Sequence, residues 1–274
     1  MDMISLDGGD FMMGETSDWI YEGDGEIPRS ATVAPFEIAK FAVTNEAFLE
    51  FTRSTGHVTD AEHFGWSFVF GGLLPDDFPE TRGVVGAEWW RQVFGASWRH
   101  PEGPQSSVLE KRLTHPVVHI SWHDATAYCN WSNTRLPTET EWEFAARAGT
   151  ETTWHWGDEL LLRGEHQMNV FQGVFPSNNT GADGWLGTCP VDAFGPNGFG
   201  LYNTTGNVWE WTSDVFGETD QDAAGERRVM KGGSYLCHES YCRRFRPAAR
   251  MGNAIDSGGG NVGFRCAKSR GQDL

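Results

Sequence analysis

Near the end of the chain, Lys231 to Cys242 reads KGGSYLCHESYC and sets Cys237 and Cys242 five positions apart. No regular element brings two side chains at that spacing together. On a strand an odd separation sends them to opposite faces, and on a helix five residues turn through about 500°, leaving them roughly 140° apart. The backbone between the thiols must therefore bend, and Gly232 and Gly233 supply conformational freedom just upstream. Ser234, Tyr235, Ser240 and Tyr241 surround the pair with hydroxyls that donate, accept or orient a ligand.

Three readings of the pair compete. Free cysteines are among the most buried residue types, so the two can be unrelated core thiols. They can form a redox disulfide, although the spacing is not C-x-x-C. Or they can hold a soft metal, Cu(I) more than Zn(II), because no second closely spaced cysteine pair completes an all-thiolate cage. Spacing alone does not choose.

A chain of 274 residues can bury a substantial core as one large domain or two small ones. Its 21 Lys+Arg against 38 Asp+Glu give a net charge of −17, which argues against nucleic acid or an anionic membrane surface as main partner. A basic peptide or cations suit it better. With no charged n-region before an apolar run and no apolar stretch of membrane-spanning length, a soluble cytoplasmic protein is expected. Cys129, Cys189, Cys237, Cys242 and Cys266 are too few and scattered for a disulfide scaffold, and the odd count leaves at least one thiol free. Thirteen Trp and 34 Gly, at a mean hydropathy of −0.46, point to a loop-rich globular fold with an aromatic core.

In chain order, Ile4 to Gly14 reads as a strand pair around a Gly-Gly turn. Pro35 to Val43 reads as a strand, and Thr44 caps a helix with Ala47, Phe48 and Phe51 on its apolar face and Gly56 as its stop. Thr59 to Ser107, with Trp66, Trp89, Trp90 and Trp98, has little periodicity and reads as an ordered, packed excursion that walls a binding surface or serves as core. Ser121 with Asp124 and Thr138 with Glu141 are capping boxes of two further helices, the second stopping at Gly149. Asn169 to Glu210 is rich in Asn, Asp and Gly, whose oxygens suit a hard cation or simply form turns. Arg243, Arg244, Arg246, Arg250 and Arg265 are expected in internal ion pairs.

The stretches GGDFMMG, FAVTNEAFLEF, GASWRHPEGP, HPVVHISWHDATAYCNW, RLPTETEWEFAARAG, GLYNTTGNVWEWTSD, KGGSYLCHESYC and NVGFRCA together resemble the formylglycine-generating enzymes of the sulfatase-modifying factor family. The resemblance spans essentially residues 1–274. WRHPEGP and the SYLCHESYC pair are its discriminating parts. It implies one mostly irregular α+β domain related to C-type lectin-like folds. It also implies an oxidase that uses O2 and Cu(I) to convert the cysteine of a C-x-P-x-R motif, in an unfolded or nascent sulfatase, to Cα-formylglycine.

By the same resemblance Cys237 and Cys242 bind copper, while Ser234 and Tyr241 belong to the active site. One calcium site falls on Asn169, Val170, Asp183 and Trp185, and a second on Asn203, Gly206, Val208 and Glu210, both partly through carbonyls. Secreted members hold two disulfides; the positions of one are Ala145 and Pro247 here, and the other pair is kept as Cys129 and Cys266. That departure fits a prokaryotic, cytoplasmic and monomeric enzyme. Two alternatives share the scaffold. A lectin-like binding module has no need of the cysteine pair, and a sulfoxide synthase would need an iron-binding helical bundle.

Overall fold

The computed structural model describes residues 1–21, 24–217 and 227–270. Its first four strands are β1 (Met3–Leu6), β2 (Gly9–Met13), β3 (Arg29–Val33) and β4 (Phe36–Ala39). The hairpin expected between Ile4 and Gly14 does not form: β1 pairs with β4, and β2 with β3. Gly8, at φ 72°, brings its Cα so close to the Val33 carbonyl that a Cβ would overlap it, and this contact turns β2 onto β3. β1 is thereby free to pack Ile4 and Leu6 against Phe36, Ile38, Ala145 and Leu201.

The helices start where local chemistry says they should. Thr44 accepts from the Ala47 N–H ahead of α1 (Asn45–Thr55), whose C-cap Gly56 sits at φ 71°, and Phe48 and Phe51 are buried. Thr59 forms a capping box before α2 (Asp60–Phe64). The excursion from Thr59 is not free of regular structure: β5 (Trp66–Phe70), β6 (Gly83–Val84) and β7 (Ala87–Phe94) make an antiparallel sheet in the order β5-β7-β6. Its tryptophans hid the period-2 pattern, because Trp89 and Trp90 are both half-buried, one on each face. Capping boxes at Ser121 and Thr138 open α3 (Trp122–Trp131) and α4 (Glu139–Arg147). The left-handed stop of α4 falls on Ala148, at φ 51°, one residue before Gly149.

Two small hairpins follow, β8 (Leu161–Leu162) with β9 (Glu165–His166) and β10 (Gly173–Val174) with β11 (Asn178–Asn179). The last strands are β12 (Trp209–Val215), β13 (Arg227–Lys231), β14 (Arg250–Ala254), β15 (Val262–Gly263) and β16 (Ala267–Ser269). Four of them form the sheet β14-β13-β12-β15, with β12 and β15 parallel, and β16 pairs with β4. The protein is thus α+β, with short helices on several small sheets.

Aromatic rings build the core, as the composition suggested. Phe48 meets Trp98 edge-on at 5.2 Å and stacks on Tyr128 at 6.0 Å, and Tyr128 meets Phe264 at 5.3 Å. Beside them Cys129 Sγ lies 3.7 Å from Cys266 Sγ, joining α3 to the segment before β16 as two buried free thiols. Arginines follow the expected pattern: Arg244 pairs with Asp24, Arg246 with Glu15 and Glu26, Arg250 with Glu139, and Arg265 with Glu210. Among the described residues no helix is long and apolar enough to cross a membrane.

Candidate active site

β13 ends at Lys231, whose Nζ is buried 2.9 Å from Glu143 and 3.5 Å from Glu139. The chain then swings out through Gly232 and Gly233, at φ 93° and 73°. A Cβ on Gly233 would stand 2.7 Å from the Phe245 Cα, so the close approach as well as the dihedral demands glycine. Two tight turns follow. The Cys237 N–H donates to the Ser234 carbonyl at 2.9 Å, and the Tyr241 and Cys242 N–H groups both donate to the His238 carbonyl, at 2.9 and 2.8 Å. This is the bend that the cysteine spacing required. It brings Cys237 Sγ to 3.0 Å from Cys242 Sγ, with both residues buried.

At that separation the sulfurs share a proton unequally. Cys242 is held below the usual thiol range, first by the hydrogen bond from Cys237, against the effect of burial, and then by the N–H and guanidinium of Arg244. Burial drives Cys237 well up, and its hydrogen bond to Cys242 adds to this. Arg244 is itself fixed, with Nε on Asp24 at 2.5 Å and its guanidinium 4.0 Å over the Tyr21 ring. Two soft sulfurs, one of them already favouring the thiolate, make a donor set that fits Cu(I), and rotation about the side chains suffices to open the pair around an ion.

Above the thiols opens a cleft of about 320 Å³. Ser234, Cys237 and Cys242 form its floor, Val84 and Trp90 come from the β5-β7-β6 sheet, and the 257–261 loop closes the far side. The aromatic excursion therefore does wall this cleft. Ser234 is fully buried, and its Oγ accepts from Asn261 Nδ2 at 3.0 Å and from the Leu236 N–H at 3.4 Å. With both lone pairs engaged, the hydroxyl proton is left as its free function, so Ser234 is set as a donor at the floor. Tyr241, more than a third exposed, is not an isolated polar group but the outer member of an aromatic cluster, and burial of its ring raises its phenol pKa.

The WRHPEGP stretch supports the cleft from behind. His119 Nε2 lies 2.9 Å from the Pro101 carbonyl, which only accepts, so Nε2 carries the proton and Nδ1 accepts from Ser67 at 2.8 Å. Burial lowers this imidazole to about 4, keeping it neutral. Gly258 of the 257–261 loop approaches the His119 backbone so closely that a Cβ there would meet it at 2.8 Å. Glu102 of the same stretch binds Arg112 through two 2.6 Å hydrogen bonds.

Both oxygen-rich sets lie directly beneath the thiol segment. In the first, Asp183 accepts from the Val170 N–H at 3.1 Å, the Trp185 N–H at 2.9 Å and Gln172 Nε2 at 2.7 Å, and Gln172 Nε2 also donates to the Val170 carbonyl. Burial nonetheless raises the Asp183 pKa, so its charge lacks a full counterpart. In the second, Glu210 takes three donors, Trp142 Nε1 at 2.7 Å and Arg265 through Nε and Nη2 at 2.5 and 2.7 Å. Its carboxylate is thus largely committed to protein. Each set nonetheless contains a buried amide oxygen, Asn169 Oδ1 and Asn203 Oδ1, with no hydrogen-bond partner. Such orphaned oxygens fit hard cations, and the fit is closer in the first set. Cys189 stands apart, its thiol pushed up to about 12 by burial and its N–H on Asn207.

Four contributors escaped the sequence reading: Asn261, Phe175, Arg244 as a cleft residue, and His119. Asn261 had a usable signal, a lone amide between three glycines and a buried strand. The others are brought in by tertiary structure alone.

A small-sheet α+β fold carrying a buried dithiol under an aromatic-walled cleft defines the class. The chain belongs to the family of the sulfatase-modifying factor enzyme 1-like domain, which matches residues 1–270. It is 49% identical over 281 residues to the formylglycine-generating enzyme of Thermomonospora curvata, covering 97% of this chain and 92% of that protein. It is 50% identical over 277 residues to that of Streptomyces coelicolor, covering 96% and 88%. A Bos taurus relative named inactive C-alpha-formylglycine-generating enzyme 2 is 45% identical over 278 residues, covering 99% and 89%. The fold is shared with PvdO from Pseudomonas aeruginosa, at a TM-score of 0.70 and 22% identity over 98% of this chain and 94% of that one.

Proposed function

We propose that this protein is an oxidase that converts the cysteine of a C-x-P-x-R motif, in an unfolded or nascent sulfatase, to Cα-formylglycine, with O2 as acceptor. The observation that carries the reading is the dithiol of Cys237 and Cys242 at the floor of a cleft, in a chain about half identical to named formylglycine-generating enzymes. Family membership by itself would not carry it, since one close relative is named inactive.

The substrate carbon passes from CH2–SH to CHO with loss of the sulfur, a two-electron oxidation with water supplying the aldehyde oxygen. Cu(I), held by Cys237 and Cys242, would supply a soft centre that draws the substrate thiol and O2 together. The chain's own groups do the rest. Arg244 favours the thiolate at Cys242, and Ser234 directs a hydroxyl proton into the floor. Trp90, Val84 and Tyr241 keep water from the thiols. The net charge of −17 favours approach of the substrate arginine.

Calcium is proposed in the Asn169, Val170, Asp183, Trp185 set and in the Asn203, Gly206, Val208, Glu210 set, as a structural element. A monomeric, cytoplasmic protein with one domain over residues 1–274 completes the proposal. A lectin-like module without oxidase activity is the second reading, kept by the inactive relative. Titration with Cu(I) against a competing chelator separates the two: tight binding lost in both Cys237→Ser and Cys242→Ser is expected. Binding that survives the two substitutions together would remove the proposed copper site.

A further inference from the structure

Tyr241 is covalently next to Cys242, yet its ring takes its position from elsewhere. Phe175, the residue after β10, stacks on it at 4.3 Å between centroids and 5° between planes. Trp89 of β7 closes the corner, edge-on to Tyr241 at 4.9 Å and to Phe175 at 5.2 Å. Behind this trio Phe171 meets Phe175 at 5.1 Å and His238 at 6.0 Å. The Phe171 N–H also donates to the Cys237 carbonyl at 3.0 Å. The segment carrying Phe171 and Phe175 is thus fastened to the thiol loop at both ends, by a backbone hydrogen bond at Cys237 and by a ring stack at Tyr241.

The contacts are one-sided in a way that matters. Tyr241 lines the cleft together with Cys237 and Cys242, while Phe175 does not. Phe175 therefore has no contact of its own with a ligand in the cleft and acts through the Tyr241 ring. Nothing else restrains that ring from behind: its neighbours in the cluster are Phe175 and Trp89, and it is more than a third exposed. Cys242, by contrast, is only 8% exposed.

We propose that Phe175 is a positioning residue for Tyr241: the β10–β11 hairpin holds the tyrosine as the outer wall of the cleft and so governs access to the Cys237 and Cys242 thiols. An offset aromatic stack is worth enough to bias a side chain between two rotamers, and a half-exposed tyrosine without it samples open positions. The hairpin is built for the task. Its base is set by Gln172, whose carbonyl accepts from the Thr180 N–H at 2.8 Å and whose amide is fixed on Asp183 at 2.7 Å. The same loop that presents oxygens beneath the thiols thereby sets the wall above them. In the cleft this means that substrate entry, rather than thiol chemistry, depends on Phe175. That consequence rests on the oxidase reading; the control of thiol access does not.

Alkylation of the full chain by iodoacetamide, kept copper-free with a Cu(I) chelator and mapped onto Cys237 and Cys242 by mass spectrometry, tests this without turnover. Phe175→Ala and Tyr241→Ala should each speed modification by roughly three- to tenfold, the range a lost stack allows. The double variant should be no faster than the faster single one, and Phe175→Tyr, which keeps the flat ring, should return to the wild-type rate. Circular dichroism and the melting curve identify any variant that fails to fold, and Phe175→Leu then takes the place of the alanine. Wild-type alkylation rates in a folded Phe175→Ala or Phe175→Leu protein would overturn the proposal, as would effects of the two positions that multiply. With peptide substrate, Phe175→Ala should raise KM more than it lowers kcat. A wild-type protein that oxidises no peptide would sink the oxidase reading while leaving the alkylation result to decide this one.

Discussion

Asn261 shows how a single side chain fixes the chemistry of another. Its Nδ2 occupies one lone pair of Ser234 Oγ and the Leu236 N–H the other, so the serine proton has only the cleft floor to go to. Asn261→Ala removes one donor and frees the hydroxyl to rotate. Turnover is expected to fall about tenfold, the equivalent of one neutral hydrogen bond. Asn261→Asp should do worse, because an acceptor in that place draws the serine proton away from the floor. In either background Ser234→Ala should add little, and rates that instead fall independently would show that the two residues do not work as a pair.

Helices were legible and sheets were not, and the reason is distance along the chain. A capping box is closed within four residues, so Thr59, Ser121 and Thr138 announced α2, α3 and α4 or their caps directly. Strand partners are chosen by tertiary burial: β1 passes over the adjacent β2 to pair with β4, and β5 pairs with β7 across an intervening segment. The same rule divides the site. The thiol pair declared itself because no regular element could accommodate its spacing, whereas Asn261 and Phe175 reach it only through folding. At this scale the oxygen-rich loops carry a prediction of their own. If calcium occupies the Asp183 set, EGTA removes about 3 kcal/mol of binding free energy at a hundredfold excess of ion over its dissociation constant. The Tm should then drop by roughly 5–10 °C, and Asp183→Ala should melt low and ignore the chelator. A wild-type Tm indifferent to EGTA would remove calcium from the account.

Across the whole molecule, buried charge ties the N-terminal segment, α4 and the thiol loop together. Glu143 is fully buried and binds Lys231 at 2.9 Å, Arg147 at 2.9 Å and the Gly14 N–H at 2.7 Å. Burial alone would raise its pKa, but the charges of Lys231 and Arg147 outweigh it and hold the carboxyl below the usual range. The unfolded chain then binds the proton more readily, so this contribution to stability is present above the unfolded carboxyl pKa and is lost as pH falls through the folded one. Glu143→Gln strands two cations and should cost about 3 kcal/mol near neutral pH, with a shallower loss on acidification below about pH 4.5. An unchanged acid limb in urea melts would contradict this. The network holds rigid the loop on which the central claim depends, that Cys237 and Cys242 serve cysteine oxidation. Mass spectrometry of a synthetic peptide containing C-T-P-S-R, incubated with protein, Cu(I) and air, tests that claim most directly. The account predicts the lighter formylglycine product with wild-type protein and none with the Cys237→Ser, Cys242→Ser double variant; an unchanged peptide mass with wild type, or equal conversion by the double variant, would contradict it.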